Sequence, residues 1–166
     1  MNRRGLTDYK DRFFGAIVYL FALKDAVGLG FILLSALPSL SPILSPIIGL
    51  LNILLIPVDL IYALLNTAIP GGFGSLVIFF VLIIAVVQNE RISYFIRFNT
   101  MQSILIGIAL SLILIISNTL GVLSLIGGLI FLIAAPICLY CIVQCILGNY
   151  PEIPNFSKFV YDQVRR

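Results

Sequence analysis

Apolar runs long enough to cross a membrane, separated by short basic clusters, constrain this chain more than any other feature of its sequence. A transmembrane α-helix needs about 20 consecutive, mainly apolar residues. Hydrophobic residues make up 61% of the sequence and charged residues 10%, whereas a soluble domain carries about 25% charged residues. We therefore predict an all-α, polytopic membrane protein with one membrane domain, residues 1–166, and a C-terminal tail, residues 148–166. Its four predicted spans cover residues 13–37, 73–90, 100–117 and 122–147.

The basic residues predict the sidedness of these spans, because Lys and Arg near span ends stay preferentially on the cytoplasmic side. With four spans, both termini and the 88–99 loop face one side, and the opposite loops, 38–72 and 118–121, carry no basic residue. We predict that the shared side is the cytoplasmic one or its organellar equivalent. Nine of the ten basic residues lie there, in three clusters: Arg3, Arg4, Lys10 and Arg12; Arg91 and Arg97; and Lys158, Arg165 and Arg166.

A fifth apolar stretch, residues 43–69, contains Pro46, Pro57 and Asp59. If it crossed the membrane in addition to the four spans, the loop with Arg91 would move to the side opposite the N-terminus. We therefore predict a Pro-rich segment between spans 1 and 2 that lies at the interface or enters and returns as a re-entrant hairpin.

Small residues recur at a spacing of four along three of the spans, which lets helix backbones approach closely in lipid. The pattern indicates either packing within the bundle, which we favour, or an interface between copies. The residues concerned are Ala22, Ala26 and Gly30; Ser103, Gly107 and Ser111; and Ser124 with Gly128.

The residue types needed for most catalysis and metal binding are scarce. The sequence contains no His, which is the usual general base and the commonest metal ligand. Cys138, Cys141 and Cys145 share one helical face, but no fourth ligand accompanies them, so we interpret them as small packing residues. We predict a non-enzymatic protein with no catalytic site, cofactor or metal, and no basic aromatic face indicates nucleic-acid binding.

Lys24 and Asp25 interrupt the first apolar run, and ionisable groups inside a span indicate a functional site or an internal pair. Two interpretations remain open. The helix breaks near residues 24–30 and leaves the pair at the interface, where Lys24 extends its ammonium group to the headgroups. Alternatively, Asp25 faces the bundle interior or a hydrated cavity.

The stretch 88–102 has the highest density of polar residues, interleaved with apolar ones, and this pattern is typical of an interfacial helical turn. Its arginines either anchor the loop to anionic lipid headgroups or form a docking surface for a soluble partner. With polar groups elsewhere in the spans, this stretch supplies the predicted pore-facing or partner-facing residues: Lys24, Asp25, Gln88, Asn89, Arg91, Arg97, Asn99, Gln102 and Gln144.

Three ordered motifs resemble those of a known family. They comprise residues 11–25, with Asp11-Arg12, Phe14-Gly15-Ala16, Tyr19-Leu20 and Asp25; Asn89 with residues 92–102; and Gly148 with residues 151–154 and Gln163-Val164. The chain resembles the twenty-kilodalton subunit family of the translocon at the inner envelope of chloroplasts, the TIC complex, which occurs in plastids and cyanobacteria.

The resemblance implies a membrane component of preprotein import that contributes to a protein-conducting channel together with other subunits. The implied partners are other translocon subunits, preproteins in transit and membrane lipids, within a hetero-oligomeric complex of the plastid inner envelope or a cyanobacterial membrane. No cleavable targeting segment is recognised, so we expect a plastid-encoded or cyanobacterial member. The alternative function is a small assembly or scaffold subunit of a photosynthetic membrane complex, without channel activity.

Overall fold

The computed structural model describes residues 7–69, 73–120, 124–154 and 156–164. All regular elements within these ranges are helices, which confirms the predicted all-α class. Four basic residues of the predicted clusters, Arg3, Arg4, Arg165 and Arg166, lie outside the described residues. The helices are α1 (Tyr9–Ile17), α2 (Tyr19–Ala36), α3 (Ser41–Ala68), α4 (Gly74–Val81), α5 (Tyr94–Thr119), α6 (Ser124–Ile146) and α7 (Phe156–Gln163).

The first span comprises α1 and α2, which together form a 28-residue stretch, Tyr9–Ala36, that is long and apolar enough to cross a membrane. The Asp8 carboxylate caps α1 by accepting a hydrogen bond from the Tyr9 N–H at 2.8 Å. A slight interruption falls at Val18. There the Ser103 hydroxyl of α5 donates to the Val18 carbonyl at 2.7 Å, so a neighbouring helix supports the junction.

Helix α2 lies at the centre of the bundle and packs against α3, α5 and α6. Its small residues Ala22 and Ala26 are buried in these contacts. The closest approach is to α6, where a Cβ atom at Gly128 would lie 2.7 Å from the Leu33 Cα atom. Only glycine fits so close to another backbone. These contacts confirm that the small residues pack within the bundle.

The Pro-rich stretch is one continuous helix, α3, so the re-entrant alternative is wrong, whereas the interfacial alternative stays a prediction. With the preceding 3₁₀ turn it covers Pro38–Ala68, 31 residues, which is long and apolar enough to cross a membrane. Pro46 and Pro57 lie inside it. Proline removes one backbone donor and bends a helix, but a long apolar helix in lipid tolerates it, because reversing the chain there would expose more unpaired backbone groups.

Helix α3 runs antiparallel to α2. Tyr62, near the end of α3, packs on Phe21 near the start of α2, with ring centroids 6.3 Å apart. Asp59 pairs with Lys24, one turn further along α2. The C-terminal end of α3 therefore lies at the same end of the bundle as the start of α2.

The run predicted as the second span, residues 73–90, forms a shorter helix than a crossing requires. Helix α4 and the π-helical segment Leu82–Val87 that extends it cover 14 residues, Gly74–Val87, or about 21 Å at 1.5 Å per residue, against a hydrocarbon thickness of about 30 Å. Gly74 lies against Leu65 of α3. At the other end, the Val87 carbonyl accepts a hydrogen bond from Arg97.

Among the described residues, four helical stretches are long and apolar enough to cross a membrane, which is the predicted number, but they are not the four that were predicted. They are Tyr9–Ala36, Pro38–Ala68, Tyr94–Thr119 and Ser124–Ile146. An even number of crossings precedes Arg91 whether α3 or residues 73–90 form the second crossing. The charge argument therefore disfavours five spans and does not distinguish between these two assignments.

Candidate functional site

The polar stretch 88–102 does not form an interfacial turn throughout, because α5 begins at Tyr94 and carries most of it into the bundle. Ser93 caps the helix, since its hydroxyl accepts a hydrogen bond from the Ile96 N–H at 3.4 Å. The same hydroxyl donates to the Asp11 carboxylate of α1 at 2.9 Å. Both contacts fix where α5 starts and bring it against the first span.

Asn99 is fully buried and links three helices. Its side-chain oxygen accepts a hydrogen bond from the Tyr19 hydroxyl of α2 at 3.0 Å, and the Cys145 sulfur of α6 lies 3.1 Å from the same oxygen. Its side-chain nitrogen donates to the Phe95 carbonyl at 2.8 Å. The amide is thereby satisfied inside the chain.

Gln102, also fully buried, holds the C-terminal tail against α5. Its side-chain nitrogen donates to the Pro151 carbonyl at 2.9 Å, and its side-chain oxygen accepts from the Ser157 hydroxyl at 3.1 Å. The Ser157 hydroxyl in turn accepts from the Ile153 N–H at 2.8 Å. One side chain thus fixes the turn before α7 and the start of α7 itself.

Arg97 is buried as well, and its Nε donates to the Val87 carbonyl at 2.8 Å. This bond closes the last turn of the π-helical segment onto α5. We call Tyr19, Arg97, Asn99, Gln102, Ser103 and Ser157 the polar core. Because Arg97, Asn99 and Gln102 are buried and bonded within the chain, they are not presented to a pore or a partner in this structure.

Four other predicted residues lie nearer the surface. Gln88 and Arg91 are exposed, whereas Asn89 is half-buried and its side-chain oxygen accepts a hydrogen bond from the Arg91 N–H at 3.1 Å. Gln144 on α6 is half-buried and accepts a hydrogen bond from Asn149 at 3.2 Å. A role for these four in contacting a partner or a pore stays a prediction.

Lys24 and Asp25 point to different neighbours, and α2 does not break near them. The Lys24 ammonium pairs with the Asp59 carboxylate of α3 and lies 5.2 Å from the centroid of the Tyr62 ring. The Asp25 carboxylate accepts a hydrogen bond from the Ser111 hydroxyl of α5 at 3.0 Å. The interpretation that places Asp25 towards the bundle interior therefore agrees with the structure, and the one that requires a broken helix is wrong.

A cavity of about 270 Å³ lies beside this pair, between α2, α3 and α5. Gly28 contributes to its volume because it lacks a side chain. We call it the charged cavity; its lining includes Lys24, Asp25, Gly28, Phe31, Asn52 and Leu114.

The three cysteines are fully buried on one face of α6, as expected for packing residues. No group of three or more His, Cys, Asp or Glu side chains in the described part of the chain is arranged to hold a metal ion.

Sequence reasoning missed the packing of the C-terminal tail. Val160 and Val164 are buried beside Phe98 and Val87 in a small second core, and the Tyr161 ring lies 4.7 Å from that of Phe98. The four-residue spacing of the two valines is the signal that could have revealed this apolar face.

Comparison with known proteins identifies the family. Residues 7–159 match the family described as "Chloroplast import apparatus Tic20-like". The chain belongs to the Tic20 family. A curated Tic20 family protein from Synechocystis sp. (strain ATCC 27184 / PCC 6803 / Kazusa) is 40% identical over 173 residues, with 99% of each chain covered. The match includes all four helical stretches long enough to cross a membrane.

Proposed function

We propose that this chain is a non-enzymatic membrane subunit of a preprotein translocon. The observation that carries the proposal is the match of residues 7–159 to the family described as "Chloroplast import apparatus Tic20-like". The multi-pass architecture is compatible with such a role, since four helical stretches have the length and composition of membrane spans.

The chain would contribute to a protein-conducting path jointly with other subunits, in a hetero-oligomeric complex. A path about 10 Å wide through a hydrocarbon layer about 30 Å thick needs roughly 2,000 Å³. The charged cavity holds about 270 Å³, and the space between α2, α5 and α6 is filled by buried side chains. A single copy therefore supplies a wall and not a conduit.

The membrane would be the inner envelope of a plastid or a cyanobacterial membrane. In the topology that we favour, Tyr9–Ala36, Pro38–Ala68, Tyr94–Thr119 and Ser124–Ile146 cross, and Gly74–Val87 folds back without crossing. Both termini and Arg91 then share the stromal or cytoplasmic side, as the distribution of basic residues favours.

Site-specific photocrosslinking to an arrested preprotein tests the proposal. The benzophenone probe replaces exposed Gln88 or Arg91 in one set of variants, and exposed Ile84 on the π-helical segment in the control. We expect preprotein adducts from the loop positions, with a much smaller yield from Ile84, which faces outward from an apolar helix. A complex that still imports but gives no preprotein adduct from any position would contradict the proposal, as would co-purification with photosystem subunits and no import component.

A further inference from the structure

The charged cavity lies beside a cluster of three ionisable side chains, those of Lys24, Asp25 and Asp59. Lys24 and Asp59 lie within the helical stretches Tyr9–Ala36 and Pro38–Ala68, both of which have the composition of membrane spans. Their side chains remain 35% and 46% exposed. Ionisable side chains inside spans are costly, and they face a bundle interior, a water-filled cavity or a partner.

The charges beside the cavity do not balance. Lys24 and Asp25 line the cavity, and the Asp59 carboxylate, which is not part of the lining, pairs with the Lys24 ammonium group. In the described part of the chain the Lys24–Asp59 contact is the one ion pair. Asp25 is left with a neutral partner, the Ser111 hydroxyl. When Asp25 is ionised, these three side chains together carry one excess negative charge next to unfilled volume.

We propose that this cavity receives a basic side chain, Lys or Arg, from a transmembrane helix of a partner subunit. The excess carboxylate selects a cation, and the apolar walls formed by Phe31 and Leu114 suit the aliphatic stem of such a side chain. The occupant is a resident subunit and not a passing substrate, because the cost of an uncovered charge in hydrocarbon applies at all times. This inference rests on the proposed function only in requiring that the chain works in a complex of membrane proteins.

Photocrosslinking from the rim of the cavity tests the inference in the full chain, in native membranes, both without and with an arrested preprotein. A benzophenone amino acid replaces Phe31, which lines the cavity and is 52% exposed. The matched control carries the same probe at Phe80, which is 54% exposed on α4. We expect a discrete adduct with one integral membrane protein from position 31 and not from position 80. Mass spectrometry should locate the adduct in a transmembrane segment that contains Lys or Arg.

The charge is tested with Asp25→Asn, which removes the negative charge and preserves an acceptor for the Ser111 hydroxyl. The yield of the adduct should fall about tenfold, because a buried charge pair loses one partner. An unchanged yield would overturn the proposal. Adducts with lipid alone, or a crosslinked segment without Lys or Arg, would overturn it even if Asp25→Asn failed to fold.

The outcomes also separate this inference from the proposed function. An adduct that forms only with an arrested preprotein would make the cavity a substrate contact and overturn the partner assignment. Preprotein adducts from Gln88 without any partner adduct from position 31 would support translocation and refute the inference. A basic partner segment from a photosynthetic complex would support the inference and refute the translocon assignment.

Discussion

The polar core and the charged cavity both place polar groups inside an apolar bundle, and they differ in how completely those groups are paired. In the polar core, Asn99 and Gln102 are fully buried and each bonds to at least two partners. At the charged cavity, Lys24 and its partner Asp59 remain partly exposed, and Asp25 has no ion-pair partner among the described residues. The first region is complete within one chain, whereas the second requires something from outside it.

This difference indicates which polar residues hold the fold and which are available for function. A fully bonded side chain at a helix contact stabilises one arrangement of helices, because every alternative leaves a buried donor or acceptor unpaired. An unbalanced charge beside a cavity adds little to the stability of the isolated chain. Substitutions in the two regions should therefore have unequal effects.

The largest expected effect is that of Asn99→Leu. It removes the acceptor of the Tyr19 hydroxyl and should lower the free energy of unfolding by about 2–3 kcal/mol. The matched control, Asn52→Leu in the wall of the charged cavity, should change it by less than about 0.5 kcal/mol. Reversible unfolding by SDS in mixed micelles measures both values. Equal losses of unfolding free energy for the two variants would contradict the idea that the polar core stabilises the fold more than the charged cavity does.

Gln102→Leu should have a somewhat smaller effect, about 1–2 kcal/mol, because it breaks the bonds to Pro151 and Ser157 at the edge of the fold. Its local consequence is release of α7. Val160 is fully buried, so a Val160→Cys reporter should react slowly with maleimide in an otherwise native chain and much faster with Gln102→Leu. The control is Gln144→Leu, which leaves α7 in place. Equal labelling rates would show that Gln102 does not hold the tail.

The Lys24–Asp59 pair should contribute about 1 kcal/mol of coupling energy, because both side chains are partly exposed. A double-mutant cycle of Lys24→Met and Asp59→Leu isolates this term. We expect the double variant to lose less free energy of unfolding than the sum of the two single losses, since each single variant leaves one charge unpaired. A coupling energy of zero would mean that the attraction between Lys24 and Asp59 does not stabilise the protein, and that the packing around them holds the two side chains together.

The topology prediction involves almost no change in stability. Thr67, Gln88 and Asn118 are exposed, and a single Cys at each is labelled with a membrane-impermeant maleimide in sealed vesicles of known orientation. If α3 crosses and α4 does not, Thr67→Cys reacts from the same side as Gln88→Cys and from the side opposite Asn118→Cys. If Thr67→Cys is instead labelled from the same side as Asn118→Cys, residues 73–90 form the crossing and α3 does not.

The sequence predicted the all-α class, and helices lie where the last two spans were predicted. The predicted span 122–147 corresponds to Ser124–Ile146, whereas the predicted span 100–117 begins six residues after the observed start, Tyr94. The start of α5 was missed because its polar residues satisfy one another across helices, which hydropathy along the chain does not register. Residues 43–69 were assigned to an interfacial or re-entrant segment for a different reason: a fifth crossing would have moved Arg91 to the side opposite the N-terminus. A crossing by α3 in place of residues 73–90 was not considered.

The sequence identified the candidate residues as polar groups within an apolar chain, but it did not show which of them bond within the bundle. Asn99 and Gln102 were identified as polar groups near a span end, and their burial was not foreseen. Their partners, Tyr19 and Pro151, lie 80 and 49 positions away in the sequence. A local pattern contains no information about contacts at such separations, because the packing of α2, α5 and the tail brings those groups together.

The sequence by itself determined that lipid is the solvent of this chain, that it forms helices, and that an even number of crossings precedes Arg91 if the basic residues share one side. These properties depend on sums over many residues, such as apolar length and charge, which do not change with the path of the chain. Only the tertiary structure decided which polar groups are paired. Pairing depends on distances of about 3 Å between atoms on different helices. These distances gave Asn99 its partners and left Asp25 beside a cavity without an ion-pair partner among the described residues.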